Sequence, residues 1–146
     1  MRAKQVYENE GLRTFVVVMA KGDEAFSELG AFATENSLTA AGLTAVGGTR
    51  EVTLGYFDPE INDYRSTTFS EQLEVLSLVG DIASKDGKPA VHAHLTLGRQ
   101  DSSTIGGHLQ RLTVWPTLEV VVTETPAHLA KKVDPETGLA LIDISD

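Results

Sequence analysis

From Arg13 to Glu124 apolar and polar residues alternate with a period of two along most of the chain. The runs are RTFVVVM, LTAAGLTAV, EVTLGYF, DYRSTTF, QLEVLSLVGDI, AVHAHLTLG, TIGGHLQRLTV and TLEVVVTE, with a weaker run, LALIDI, near the end. Alternation sends successive side chains to opposite faces, so each run predicts a half-buried strand. One segment follows another rhythm. In EAFSELGAFATEN, Phe26, Leu29, Phe32 and Ala33 recur at helical spacing and predict an amphipathic helix of about 12 residues, with Asp23 as its N-cap. Turn chemistry falls at Gly47–Gly48, at DPEIND from Asp58, at SKDGKP from Ser84 and at DPETG from Asp134. The connections between Glu51 and Glu124 are too short for parallel crossovers, so these strands are expected to be antiparallel. The pattern predicts an α+β fold, a mainly antiparallel sheet with one clear amphipathic helix packed on it. No repeat, linker or low-complexity tract divides residues 1–146, which read as a single domain.

Composition narrows the function classes. With 41% hydrophobic and 23% charged residues the chain has the balance of a globular domain. Its longest apolar runs, Phe15–Ala20 and Leu118–Val122, fall far short of the roughly 20 residues a bilayer-spanning helix needs. The opening MRAKQVYENEGL has no apolar stretch behind its charges, so no secretory signal is expected and the cytoplasm is the expected location. Cysteine is absent, which excludes disulfides, thiolate ligands and cysteine nucleophiles and leaves imidazole and oxygen as metal ligands. Twelve basic against 21 acidic residues give a net charge of −9, and the densest basic spot is the pair Lys131–Lys132. Binding to the phosphates of duplex DNA needs a basic face, which this balance does not offer.

Three of the four histidines fall within VHAHLTLGRQDSSTIGGHLQ. On a strand His92 and His94 project from the same face about 6.6 Å apart, with Ala93 turned the other way. His108 follows a polar loop and returns to their neighbourhood if the two flanking strands pair. Gly106 and Gly107 before it thin the sheet, as happens where a ligand or another backbone comes close. Three neutral imidazoles suit zinc and leave one coordination position for water, the arrangement of catalytic rather than structural zinc. Two half-exposed histidines on a solvent face would show the same spacing. His128, in TPAHLAKK, has no partner in sequence and reads as a surface residue.

The same residues carry a resemblance. Glu74 before Leu76–Leu78, His92 and His94, then Gly106-Gly107-His108-Leu109 and TLEVVVTE resemble the central block of the PPC domain, the plants and prokaryotes conserved domain. AGLTAVGGTREVTLGYFDPEINDY and DPETGLALI are similar to its flanking segments, so the resemblance spans residues 12–144. It implies a homotrimer of compact α+β subunits in which His92, His94 and His108 hold zinc or another divalent transition metal. Plant relatives carry basic AT-hook segments beside this domain that enter the DNA minor groove. No Arg-Gly-Arg-Pro segment occurs here, which with the charge of −9 disfavours nucleic acid as a partner.

Three functions follow as expectations. The first is a metal-binding homotrimer acting through a small ligand or a protein partner. The second is a zinc hydrolase that uses the open metal position, with Glu74 as the assisting carboxylate; a strand Glu paired with a base such as Arg111 is the plainer reading of that residue. The third is DNA binding. Ser102 and Ser103 lack a nucleophile elbow and read as loop, and Trp115 reads as core or subunit-interface surface.

Overall fold

The computed structural model describes residues 1–125 and 128–145. In chain order these form β1 (Arg2–Asn9), β2 (Leu12–Ala20), α1 (Ala25–Glu35), β3 (Ala40–Asp58), β4 (Asp63–Phe69), β5 (Leu73–Lys85), β6 (Lys88–Gly98), β7 (Thr104–Glu124), β8 (Ala130–Val133) and β9 (Ala140–Asp143). One sheet holds all nine strands. Its main path is β1-β2-β7-β3-β5-β8-β9, with β4 paired to β3 and β6 bridging β5 and β7. The pairings β3–β5, β5–β6, β6–β7 and β7–β3 therefore close on themselves, which removes open edges from the centre of the molecule.

This corrects the expected α+β architecture. The chain is 68% strand and 8% helix, and the sheet is mixed because β8 runs parallel to β5 where Ser84 faces Ala130. A helix-packed antiparallel sheet does not describe it. One feature read as a strand end lies inside a strand. Gly47–Gly48 is no turn: β3 runs straight through it over 19 residues, with register shifts on either side. A Cβ on Gly48 would collide with the Trp115 carbonyl, so glycine is what lets β7 approach here. Pro116, after a cis Trp115–Pro116 peptide, likewise sits within the 21 residues of β7. β1 escaped the pattern because every one of its residues is exposed, so burial imposes no alternation on it.

The predicted helix exists, over 11 residues, but its cap is Glu24 and not Asp23. The Glu24 carboxylate accepts from the backbone N–H groups of Phe26 (3.2 Å) and Ser27 (3.0 Å) and from Leu112 N–H on β7 (3.0 Å). One side chain caps the helix and clips it to the sheet. Burial works to raise the Glu24 carboxyl, and a hydrogen bond donated by the Ser27 hydroxyl, with these backbone ones, outweighs it and holds the group below its ordinary value. Asp23 instead accepts from Ala20 N–H (2.9 Å) and pairs with the N-terminal ammonium (2.8 Å). The helix buries Ala25, Leu29, Phe32 and Ala33 in one cluster with Val17, Met19, Leu43, Leu78, Leu95, Leu112 and Val120. Phe32 meets Phe15 edge to face at 5.2 Å. Each large side chain buried there contributes about 2 kcal/mol.

Candidate metal centre

β6 sets the site. Ala93, Leu95 and Leu97 are buried on its inner side, so alternation turns His92 and His94 outward. β6 lies between two partners, and register does the rest. His94 stands opposite Val79 on β5 and opposite His108 on β7, while His92 stands opposite Asp81 on β5. Leu109 is buried, which turns the preceding His108 outward beside the other two. Two antiparallel pairings thus bring together residues 16 positions apart in sequence. The ring centroids of all three pairs lie 5.2 Å apart, and one ligand nitrogen from each ring falls within 4.8 Å of the others.

The expected thinning of the sheet at Gly106 and Gly107 is present, and its cause is backbone. A Cβ on Gly106 would stand 2.6 Å from the Leu95 carbonyl of β6, and one on Gly107 would stand 3.0 Å from the Gly55 carbonyl of β3. Gly80 is tighter still: a Cβ there would run into the carbonyl of His92 itself. These glycines let β5, β6 and β7 press together around the histidines.

A second layer orients the rings. The Asp81 carboxylate accepts from His92 Nδ1 at 3.0 Å, which fixes the proton on Nδ1 and leaves the Nε2 lone pair free. Its other oxygen lies 2.7 Å from Lys131 Nζ on β8. The Lys131 side chain is only 4% exposed, so Asp81 is the counter-charge that makes its burial tolerable. Tyr64 on β4 stacks on His108 at 4.6 Å with 24° between the planes. Gly55 makes the room, since a Cβ there would be 2.7 Å from Tyr64 Cδ1. Burial, followed by the neighbouring His92, His94 and Lys131, lowers the pKa of His108 from 6.5 to about 4. Burial, with His92 second, lowers that of His94. Both rings are neutral near pH 7 and keep a lone pair for a metal.

A cavity of about 510 Å³ opens over these rings, lined by Tyr64, Lys85, Ala90, Val91, His92, His94, His108, Lys131, Leu139, Ala140 and Leu141. His108 Nδ1 is buried without a hydrogen-bond partner among the described residues. An orphaned imidazole nitrogen beside two converging imidazoles is the donor set that zinc or a similar divalent ion fits.

The other candidates lie elsewhere. Glu74 is exposed, opposite Gly98, and seven positions along β5 from Asp81, about 23 Å at strand rise. It lines a separate cleft with Glu71 and Arg99. The carboxylate beside the histidines is Asp81, which the period-two pattern did not single out. Arg111 is exposed and lines a third depression with Glu24 and Glu51. Ser103 Oγ donates to Asp101 at 2.6 Å within the loop before β7. His128 is exposed and 2.6 Å from Thr39 Oγ1, and Trp115 is half-buried beneath Lys21 Nζ, 3.8 Å from the ring centroid.

Relatives share this fold. A crystal structure from Archaeoglobus fulgidus, described as that of a metal-containing protein, is 33% identical with a TM-score of 0.81, covering 88% of this chain and 91% of its own. A plant- and prokaryote-conserved (PPC) protein of Pyrococcus horikoshii is 26% identical with a TM-score of 0.85 over 96% of this chain and 99% of its own. A Bacteroides thetaiotaomicron protein described as a "putative DNA binding protein" is 30% identical with a TM-score of 0.86, covering 89% and 91%. Comparison with curated proteins finds no match. The family model for the Plants and Prokaryotes Conserved domain matches residues 6–126, a span that holds Asp81 and all three site histidines. The chain belongs to the Plants and Prokaryotes Conserved domain family.

Proposed function

We propose that this chain is a cytoplasmic, homotrimeric metal-binding protein in which His92, His94 and His108 hold zinc. The observation that carries the reading is the convergence of three imidazoles within 4.8 Å, one of them with a buried nitrogen that no other described residue satisfies. The Archaeoglobus relative described as metal-containing supports it. Three protein ligands leave one coordination position open, and a bound ion would supply Lewis acidity there. The test is elemental analysis of untagged protein beside the triple variant His92→Ala, His94→Ala, His108→Ala. About one ion per chain in the parent and none in the variant is expected; equal contents would sink the assignment.

Association of copies is supported by a row of three valines and a threonine on the outer face of the sheet, and the number three by the family resemblance. Val16, Val121, Thr44 and Val79 are successive register partners across β2, β7, β3 and β5, and Val79 (55% exposed) and Val121 (41%) are open to solvent. Such a row in an acidic chain favours burial against another copy of the chain over contact with water. Light scattering is expected to give three times the 15.7 kDa chain mass; a monomer mass, unchanged by metal, would overturn this.

A hydrolase reading is weaker, because no carboxylate lines the cavity among the described residues and Asp81 is committed to His92 and Lys131. DNA binding is weaker still at a net charge of −9.

A further inference from the structure

The cavity over the histidines departs from the chain's overall charge. The protein has 21 acidic and 12 basic residues, yet two lysines and no acidic residue are among those that line this space. Lys131 comes from β8 and is neutralised by Asp81, whereas Lys85, at the end of β5, is exposed with no carboxylate paired to it among the described ion pairs. A divalent ion on the three neutral imidazoles would add two more positive charges. Loaded, the site is cationic and lacks an anion.

The rest of the wall is aliphatic. Ala90 on β6, Leu139 just before β9, and Ala140 and Leu141 on β9 line it, so the C-terminal hairpin forms one side of the cavity. No arginine and no helix N-terminus reaches it, so a phosphate dianion would find few donors. One negative end and one apolar body match both parts of the lining.

We propose that this cavity binds a small monocarboxylate with an aliphatic tail, its carboxylate directed to the open metal position and Lys85 and its tail lying against Ala90, Leu139 and Leu141. The proposal rests on the metal reading above. It makes β8 and β9 part of the binding site, although the family model ends at residue 126.

Cobalt(II) gives a readout independent of any activity. The full chain, stripped of metal and reloaded with cobalt(II), is titrated with acetate, butyrate, hexanoate, 1-hexanol, hexylamine and inorganic phosphate while the visible d–d bands are followed. Saturable band shifts with the carboxylates are expected, tightening about fourfold per methylene from acetate to hexanoate, with none from hexanol or hexylamine. Lys85→Glu and Leu141→Asp, both at exposed positions, should weaken hexanoate at least tenfold and leave cobalt content unchanged. A protein that takes up no cobalt overturns the metal reading and this proposal with it. One that takes up cobalt but ignores hexanoate, shows no dependence on chain length, or prefers phosphate overturns the proposal alone.

Discussion

Asp81→Leu removes the one carboxylate that both orients His92 and neutralises a buried lysine. Lys131 is 4% exposed and its ammonium lies 2.7 Å from Asp81 Oδ1. Taking one partner from a buried pair costs about 3–5 kcal/mol, because the remaining charge stays desolvated. The unmet His92 Nδ1–H adds about 1 kcal/mol. Asp81 itself is 24% exposed, so water partly relieves the loss, and the low end of the range, about 3 kcal/mol, is expected. Urea denaturation of the metal-free protein near neutral pH, at one fixed chain concentration, measures it. The double variant Asp81→Leu, Lys131→Met removes the stranded charge and should recover about 2 kcal/mol of the loss. Metal affinity should fall about 10- to 100-fold in both, since both lose the ring orientation. A single variant within about 1 kcal/mol of the parent, or a double variant no better than the single, would refute the role assigned to the pair.

Four further outcomes are expected. In the metal-free protein, His108 titrates near 4 when folded and near 6.5 when unfolded, so the unfolded chain takes up the extra proton. Stability therefore falls as pH drops from 6.5 to 4, by about 2–3 kcal/mol, and levels off below; His108→Phe should flatten this slope in urea titrations at stepped pH. Gly80→Ala, which drives a methyl into the His92 carbonyl, should lower the melting temperature by about 6–10 °C, whereas Gly87→Ala, with open space but φ +75°, should cost only about 1 kcal/mol. Val79→Glu should dissociate the assembly by light scattering without unfolding the chain, because it alters only an exposed position of the outer face. Glu74→Gln should leave metal content unchanged, since its carboxylate is remote from the three imidazoles.

The strands were legible where one face is buried and unreadable where that condition fails. Val17, Met19, Leu43, Leu95, Val120 and their neighbours are in the core, and their alternation with polar residues marks β2, β3, β6 and β7. β1 has eight exposed residues and no such constraint, and β8 has four residues whose one enclosed side chain, Lys131, is charged and not apolar. Gly47–Gly48 and Pro116 carry the same letters as a turn, yet they face each other across β3 and β7, where the glycine gap accommodates the backbone at Trp115–Pro116. Local chemistry names a breaker, and only the partner strand decides whether the break occurs.

The histidines were legible because their geometry is mostly local. His92 and His94 share a face by period alone, and His108 joins them once β6 and β7 form a hairpin around a short loop. Lys131 and Tyr64 were not, because each arrives by a different long-range pairing, and Asp81 was not, because it meets His92 only in one register of the β5–β6 hairpin. Asp81 depends on the register of β5 against β6 through the Asp86–Gly87 turn, where a shift of one residue would turn it to the core. Tyr64 depends on β4 folding back on β3 with Gly55 left bare, and Lys131 on a parallel contact between β8 and β5. The three histidines thus sit on two strands whose pairing the sequence pattern anticipates. The residues that tune them are drawn from three other parts of the sheet. A change in β4 or β8 that touches no ligand should therefore alter how tightly the ion is held, while a change at Glu74, on the same strand as Asp81 but some seven residues distant, should not.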